Sequence, residues 1–341
     1  MNNSINPTYK YVPEKIADID ALFLEITKGN RVALAKGITL IESTATNHRE
    51  LKNELLKKCA AVKTSTTRIG ITGVPGAGKS TLIENLGKLL IANGHKIAVL
   101  AIDPSSSKTR GSILGDKTRM QELASKENAF IRPTASSGNL GGTASTTKEV
   151  MILCEAAGFD YILVETVGVG QSEILVNDIT DVFLLLAVSG TGDELQGIKR
   201  GIMEIANIIA INKSDGDNVE KTKQAATQLK NALHLYPVAQ NEWSTKVLTI
   251  SALENTGVEE LNNTLKGFIE FQKANGEFEK KREEQERKWL DSYIIALLQN
   301  SIRTQISTEK INELKINALK NKSLVFEEIQ DIIKIIKNQK E

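Results

Sequence analysis

The fold is decided by Gly73-Val74-Pro75-Gly76-Ala77-Gly78-Lys79-Ser80, a stretch that fits the phosphate-loop pattern G-x4-G-K-[ST] at every position. An apolar run precedes it at residues 68–72, and a helix-like segment follows it at residues 80–94. A strand, a glycine-rich turn and a helix in this order form a cradle of backbone N–H groups for phosphate oxygens. The sequence therefore predicts a nucleoside triphosphate site in a P-loop domain.

Each part of the loop has a chemical task. The glycines let backbone N–H groups close around the phosphates, and Lys79 supplies a cation to the β- and γ-phosphates. The Ser80 hydroxyl is expected to ligate Mg²⁺. Contacts to the nucleotide are expected from Gly73, Gly76, Ala77, Gly78, Lys79, Ser80 and Thr81.

Short apolar runs alternate with longer helical segments between Thr66 and Gln272. The runs are RIGITG, KIAVLAID, AFIRP, YILVET, VFLLLAV, NIIAINKSD and VLTISA. Continuous apolar strands separated by helices predict a mostly parallel sheet covered on both faces, the three-layer α/β/α fold of P-loop NTPases. We expect three parts: a helical N-terminal extension over residues 1–62, the P-loop domain over 63–272 and a helical arm over 273–341, which would bury its apolar stripe against a second copy of the chain.

Composition excludes several classes of protein. The 341 residues carry 43 Lys and Arg against 42 Asp and Glu, a net charge of +1, which disfavours nonspecific binding to nucleic acid or anionic membranes. The longest apolar run, Val182–Val188, is far shorter than the roughly 20 residues of a membrane-spanning helix. With no secretory signal pattern at the start and two scattered cysteines, we expect a cytoplasmic protein with reduced thiols.

The nucleotide base is expected to be read by Asn212-Lys213-Ser214-Asp215, which follows the apolar run NIIAI. An Asp215 carboxylate can accept hydrogen bonds from guanine N1–H and N2–H₂, whereas adenine offers no such pair of donors. The Lys213 stem would lie along the face of the base. Ser251-Ala252-Leu253, at the end of the next apolar run, resembles the element whose backbone N–H contacts guanine O6. GTP is therefore predicted over ATP.

Metal and switch residues are expected between these motifs. Glu165 ends the run DYILVE and begins E-x-x-G, so that its carboxylate would hold Mg²⁺ and the Gly168 N–H would meet the γ-phosphate. Asp103 ends the run KIAVLAI and is expected to position the attacking water or the metal, with a helix or turn cap as the alternative.

Two polar, glycine-spaced loops are candidate switches. Residues 107–120 include Arg110, Asp116 and Arg119, and residues 190–199 include Asp193 and Lys199. The first loop can order on a γ-phosphate and relax after hydrolysis, and Asp193 and Lys199 of the second would couple the nucleotide state to a partner. Solvated surface loops that only connect elements would have the same composition, so both interpretations stay open.

In their order and residue identities these motifs resemble those of the P-loop GTPases whose third nucleotide motif is E-x-x-G. Within that group the chain resembles the methylmalonyl-CoA mutase-associated GTPases, the MeaB or ArgK family, which is similar to the methylmalonic aciduria type A protein. The resemblance covers nearly the whole chain. It is carried by GVPGAGKST, AIDPSSSKTRGSILGDKTRM, RPTASSGNLGG, VETVGVGQSE, SGTGDELQGIKRGI and NKSD.

The resemblance implies a homodimeric, GTP-hydrolysing chaperone that binds an adenosylcobalamin-dependent acyl-CoA mutase, gates delivery of its cofactor and guards or restores its activity. It also implies that the C-terminal arm joins the two subunits, and that residues 190–199 form a third switch. By the same resemblance, the nucleotide, metal and hydrolysis positions are Lys79, Ser80, Asp103, Asp116, Glu165 and Lys199. Ser80, Asp103 and Glu165 are the implied metal positions.

Two other functions remain open from the sequence. One is a kinase that phosphorylates a protein of an amino-acid (LAO/AO) transport system, a name given to ArgK-like sequences, although no second substrate site is recognisable. The other is a nickel metallochaperone of the same E-x-x-G group, which the three dispersed histidines and two distant cysteines disfavour. Methylmalonyl-CoA mutase and isobutyryl-CoA mutase could both use such a chaperone.

Overall fold

Seven parallel strands form one sheet in the computed structural model of the chain, in the order β3-β2-β4-β1-β5-β6-β7. The structure describes residues 18–43, 45–103, 120–135, 140–166, 172–189, 200–233 and 243–305, together with 312–313, 316–317 and 330. The strands are β1 Thr67–Gly73, β2 Ile97–Asp103, β3 Ala129–Ala135, β4 Tyr161–Thr166, β5 Val182–Val188, β6 Ile208–Asn212 and β7 Lys246–Thr249. Each of the seven apolar runs overlaps one strand, which confirms the predicted α/β fold.

Helices connect the strands and precede and follow the sheet. Before it lie α1 Ile19–Thr27, α2 Arg31–Glu42 and α3 Arg49–Ala60. Between the strands lie α4 Lys79–Ala92, α5 Gln121–Ala124, α6 Leu140–Ala156, α7 Ser172–Asn177, α8 Arg200–Ile205 and α9 Val219–Leu233. After the sheet come α10 Val258–Ala274 and α11 Glu277–Gln305.

Two apolar cores lie on opposite faces of the sheet. Ala98, Leu100 and Ile102 of β2 belong to one core, and Ile97 and Val99 of the same strand belong to the other. This alternation follows from the two-residue period of a strand, which sends successive side chains to opposite faces. The first core contains side chains of α6, and the second contains side chains of α4 and α10, so helices cover both faces of the strands.

The N-terminal helices share the first core. Ile26, Leu34 and Leu55 are fully or almost fully buried in the same cluster as Leu153 of α6. Gly37 on α2 allows this close approach, because a Cβ there would lie 3.0 Å from a methyl group of Leu153. The helices α1 to α3 therefore contact α6 through a continuous apolar interface.

Buried polar and sulfur groups accompany this interface. Lys52 of α3 lies 2.7 Å from the Glu149 carboxylate of α6, and burial raises the pKa of Glu149 although Lys52 lowers it. Arg132 of β3 donates to Glu42 at the end of α2, with an Nη2–Oε2 distance of 2.7 Å. Burial also raises the pKa of the Cys59 thiol to about 12.

The chain divides into two compact units, residues 1–279 and 280–341. In the second unit, α11 exposes Leu290, Ile294 and Leu298, which recur every four residues along one side of the helix. No helix in the described part of the chain combines the length and the apolarity needed to cross a bilayer. A further helix is expected from the sequence at residues 324–336, which lie outside the described residues apart from position 330.

Candidate nucleotide-binding site

The phosphate loop joins the end of β1 at Gly73 to the start of α4 at Lys79. Gly76 and Gly78 have φ values of +78° and +91°, a region that residues with a side chain rarely adopt. A Cβ at Gly73 would collide with the carbonyl oxygen of Leu186 on β5. A Cβ at Gly78 would collide with the side-chain amide of Asn212. The glycines are thus required by backbone conformation and by close contact with neighbouring strands.

Lys79 folds back over its own loop. Its Nζ donates to the carbonyl oxygens of Gly73 at 2.8 Å and Val74 at 3.1 Å, and the residue is only 7% exposed. The positive charge is therefore held beside the N-terminus of α4, where the helix dipole also favours an anion. A phosphate group at this helix end would meet both the ammonium and the loop N–H groups.

A pair of oxygen-bearing side chains lies beside the loop. The Ser80 hydroxyl donates to Oε1 of Glu165 at 3.0 Å, and Glu165 is 7% exposed. Behind it the hydroxyls of Thr72 and Thr166 lie 2.9 Å apart and join the ends of β1 and β4. Carboxylate and hydroxyl oxygens are hard donors of the type that Mg²⁺ prefers, so the residues present fit the expected ion.

The remaining metal and switch predictions are only partly described. Asp103 is the last residue of β2, one strand away from Glu165, and the register pairs Ala101 with Glu165. This places the Asp103 backbone on the same sheet edge, while its side chain is outside the described part. Asp116, Gly168 and Lys199, and with them Arg110, Arg119 and Asp193, also lie outside the described residues.

The predicted base-reading residues lie together at the ends of β6 and β7. The Ser251 hydroxyl donates to Oδ2 of Asp215 at 2.5 Å and fixes the orientation of that carboxylate. Lys213 is exposed and adopts φ +62°, an uncommon backbone conformation for a residue with a side chain. Leu253 is 80% exposed at the rim of the same loop.

Asn212 has a role that the sequence motif does not reveal. Its Nδ2 donates to the carbonyl oxygen of Ala77 at 2.7 Å, and its Oδ1 accepts from the Ala252 N–H at 2.8 Å. The buried amide therefore bridges the phosphate loop and the loop after β7. The Ala252 N–H, one of the backbone donors expected for guanine O6, is thus already bound to the Asn212 amide.

Asn85 was not predicted as part of the site. It lies on α4 and donates from Nδ2 to the carbonyl oxygen of Ala252 at 2.5 Å. On the adjacent position, Glu84 accepts from the backbone N–H groups of Glu122 and Leu123 and so caps the start of α5. No sequence motif marks Asn85, since its contact joins positions 167 residues apart.

Comparison with known proteins gives a consistent assignment. A sequence model of the family described as methylmalonyl-CoA mutase-associated GTPase MeaB matches residues 34–307. The GTPase ArgK of Escherichia coli is 44% identical over 299 residues, which cover 88% of this chain and 90% of ArgK. The Mus musculus protein named methylmalonic aciduria type A homolog, mitochondrial, is 46% identical over 282 residues, covering 80% of this chain and 68% of that protein.

A solved structure agrees with the sequence relatives. The crystal structure described as an LAO/AO transport system kinase superposes with a TM-score of 0.73 at 35% sequence identity, and covers 96% of this chain and 100% of its own. The matched family region includes the phosphate loop, the Ser80–Glu165 pair and the Asp215–Ser251 pair. The chain therefore belongs to the MeaB family of methylmalonyl-CoA mutase-associated GTPases and is a GTP-hydrolysing enzyme.

Proposed function

We propose that this GTPase is a chaperone that assists an adenosylcobalamin-dependent acyl-CoA mutase in cofactor loading, protection or reactivation. The proposal is carried by the match of residues 34–307 to a family described as mutase-associated. The similarity to a protein named methylmalonic aciduria type A homolog supports the same class of partner. Methylmalonyl-CoA mutase and isobutyryl-CoA mutase are both candidates.

In this proposal the phosphate loop binds GTP and GDP through its N–H groups and Lys79, while Asp215 reads the guanine. Ser80, Asp103 and Glu165 would hold Mg²⁺, which supplies charge neutralisation to the phosphates when it is bound. Asp116 and Lys199 are proposed as hydrolysis and switch residues on the strength of the family motifs. Gly168 would donate its N–H to the γ-phosphate.

We expect slow intrinsic hydrolysis that the partner accelerates. Phosphoryl transfer depends mainly on positioning and charge stabilisation, and Val169 follows Gly168 where Ras-type GTPases carry a water-orienting glutamine. A mutase that orders the switch loops would supply the missing positioning. Phosphate release should be measured with and without the mutase. Turnover at tens per second by the purified protein alone would contradict this expectation.

The partner can be tested by copurification. An adenosylcobalamin-dependent mutase should be retained by the immobilised GTPase, with a different yield in GDP and in a nonhydrolysable GTP analogue. Lys79→Met serves as the control, because a variant without the phosphate-loop cation should lose the dependence on nucleotide. Failure to retain either mutase in any nucleotide state would overturn the chaperone proposal.

Protein phosphorylation is the second candidate function. It is favoured by the similarity to the structure described as an LAO/AO transport system kinase. Incubation with GTP labelled at the γ-phosphate separates the two reactions. Stable label on an acceptor protein would support the kinase, and release of free labelled phosphate would support the GTPase chaperone.

We also propose that the arm over residues 273–341 joins two copies of the chain. The support is the apolar side of α11, where Leu290, Ile294 and Leu298 are each between 45% and 59% exposed in the single chain. Replacing Ile294 and Leu298 with glutamate should convert a dimer to monomers in light scattering. Lys288→Glu, which leaves the apolar positions intact, is the control. A dimer that survives the double replacement would contradict this interface.

A cytoplasmic location is proposed on the basis of the two cysteines. Cys59 and Cys154 are buried and free, as expected in a reducing compartment. Fractionation of the source cells would test this location, and recovery of the protein outside the cytoplasmic fraction would contradict it.

A further inference from the structure

Ala252 is held at both of its backbone polar groups by asparagine side chains. Its N–H donates to Asn212 at 2.8 Å, and its carbonyl oxygen accepts from Asn85 at 2.5 Å. Ala252 is 1% exposed, so these groups have little access to water that could replace a lost partner. Asn85 comes from the phosphate-loop helix α4, and Asn212 comes from the end of β6.

The preceding residue connects this arrangement to the base-reading carboxylate. Ser251 is fully buried and donates from its hydroxyl to Oδ2 of Asp215 at 2.5 Å. The same hydroxyl oxygen accepts from the N–H of Glu254 at 3.0 Å. A displacement of the Ser251–Ala252 backbone would therefore move the group that orients Asp215.

The turn beyond Ala252 leaves little freedom on its other side. The backbones of Ser251 and Thr256 exchange two hydrogen bonds, of 2.9 Å and 3.0 Å. Gly257 has φ +76°, and a Cβ at this position would lie 2.9 Å from the carbonyl oxygen of Thr249. The turn is thus closed on itself, and Asn85 adds a side-chain hydrogen bond to it from α4.

We propose that Asn85 is a positioning residue for guanine recognition. By holding the Ala252 carbonyl, it fixes the Ser251 hydroxyl and, through that hydroxyl, the direction of the Asp215 carboxylate. It thereby couples the phosphate-binding helix to the selection of the base. The inference rests on the proposed function of Asp215 as the residue that reads the base.

Hypoxanthine provides the readout, because it lacks the 2-amino group of guanine. Guanine can donate from N1–H and N2–H₂ to a correctly directed Asp215, whereas hypoxanthine can donate only from N1–H. If Asp215 is released from its orientation, the affinity for GDP falls more than the affinity for inosine diphosphate. The dissociation constant of inosine diphosphate divided by that of GDP therefore decreases. If the role of Asn85 were purely structural, its loss would weaken the binding of both nucleotides by the same factor and leave this ratio unchanged.

The experiment measures the dissociation constants of GDP and inosine diphosphate by calorimetry on the full chain. Asn85→Ala should lower the preference for GDP about 2- to 10-fold, the range expected for loss of one hydrogen bond. Asn85→Asp should lower it further, because an ionised carboxylate replaces the donor and faces the Ala252 carbonyl. Asn85 is half-buried on α4, so neither variant leaves a buried cavity, and either one alone provides the measurement if the other does not fold.

Glu84→Ala is the matched control. Glu84 is the neighbouring position on α4, and its described contacts go to α5 instead of the base loop. The GDP preference of Glu84→Ala should equal that of the unaltered protein. An unchanged preference in both Asn85 variants would overturn the proposal, as would an equal change in Glu84→Ala.

Asp215→Asn, measured in the same way, distinguishes the role of Asn85 from the role of Asp215. If it abolishes the preference for GDP while the Asn85 variants keep it, only the role of Asn85 is wrong. If Asp215→Asn keeps the preference, Asp215 does not read the base, and the inference on Asn85 fails with it.

Discussion

The Ser80 hydroxyl donates to the Glu165 carboxylate across 3.0 Å, although the two residues are 85 positions apart in the chain. The contact joins the first turn of α4 to the end of β4, the strand that leads into the E-x-x-G segment. A change in the ligands of Ser80 therefore reaches Glu165 directly. The hydrogen bond is a direct connection between the phosphate-loop helix and the segment expected to respond to the γ-phosphate.

Glu165→Gln should lower magnesium-dependent GTP hydrolysis about 100-fold while GDP still binds. The amide keeps the size of the side chain but removes the negative charge that would attract the cation. Phosphate release should be followed while Mg²⁺ is titrated from a chelated baseline. Lys88→Met, which breaks only the surface pair between Lys88 and Glu122, should leave the Mg²⁺ dependence unchanged. An unaltered titration in Glu165→Gln would show that Glu165 does not hold the metal.

Asp215→Asn should change the preferred base from guanine to xanthine by at least about 10-fold. An asparagine amide can donate to the O2 that replaces the amino group of guanine, and the Ser251 hydroxyl can still donate to the amide oxygen. Competition between GDP and xanthosine diphosphate measures the change. Asp217→Asn, an exposed acid in the same turn, is the control and should keep guanine preference. A variant at Asp215 that still selects GDP would refute the assignment.

Gly73→Ala should destabilise the protein by about 2–3 kcal/mol or more, because the new Cβ collides with the backbone of Leu186 and because φ +153° also disfavours a side chain. Gly94→Ala is the matched comparison: Gly94 has φ +87°, but a Cβ added there would meet no atom within 4 Å. It should cost only the conformational penalty of about 1–2 kcal/mol. Urea unfolding of the two variants measures the difference. Equal destabilisation would mean that close approach to β5 is not what requires glycine at position 73.

The buried Cys59 thiol predicts a loss of stability at alkaline pH. Burial raises the pKa of Cys59 from 9.0 to about 12, so the unfolded chain loses this proton first as the pH rises. The contribution of Cys59 is therefore fully present below the unfolded pKa and is lost between about pH 9 and pH 12. Between about pH 8 and about pH 10, the free energy of unfolding should fall by about 1 kcal/mol more in the unaltered protein than in Cys59→Ala.

Urea titrations at both pH values measure the Cys59 effect. The comparison concerns the change with pH within each protein, because Cys59→Ala also loses apolar contacts at every pH. Identical changes in the two proteins would contradict a protonated buried thiol.

Local patterns were enough to predict the sheet and the phosphate loop. A strand buried on both faces must be apolar along its length, and a loop that surrounds phosphate must be rich in glycine. Both features can therefore be recognised from a few consecutive residues. The Asn85–Ala252 contact could not be found in this way, because it depends on how α4 lies against the loop after β7. Likewise, the apolar stripes of α1 to α3 indicated that something covers them, but not that α6 does. Asp116, Gly168 and Lys199 stay predictions.

The shared core of the N-terminal helices and α6 has a consequence for proteolysis. Ile26, Leu34 and Leu55 contribute to the same apolar cluster as Leu153, so separating the helices would bring that surface into water. A single nick in the connection at residues 61–66 should therefore leave two fragments that stay noncovalently associated, as the halves of a split protein do. The helices before the phosphate-binding strand thus fold together with the sheet. Truncating the chain to its nucleotide-binding part would expose one side of its apolar core to water.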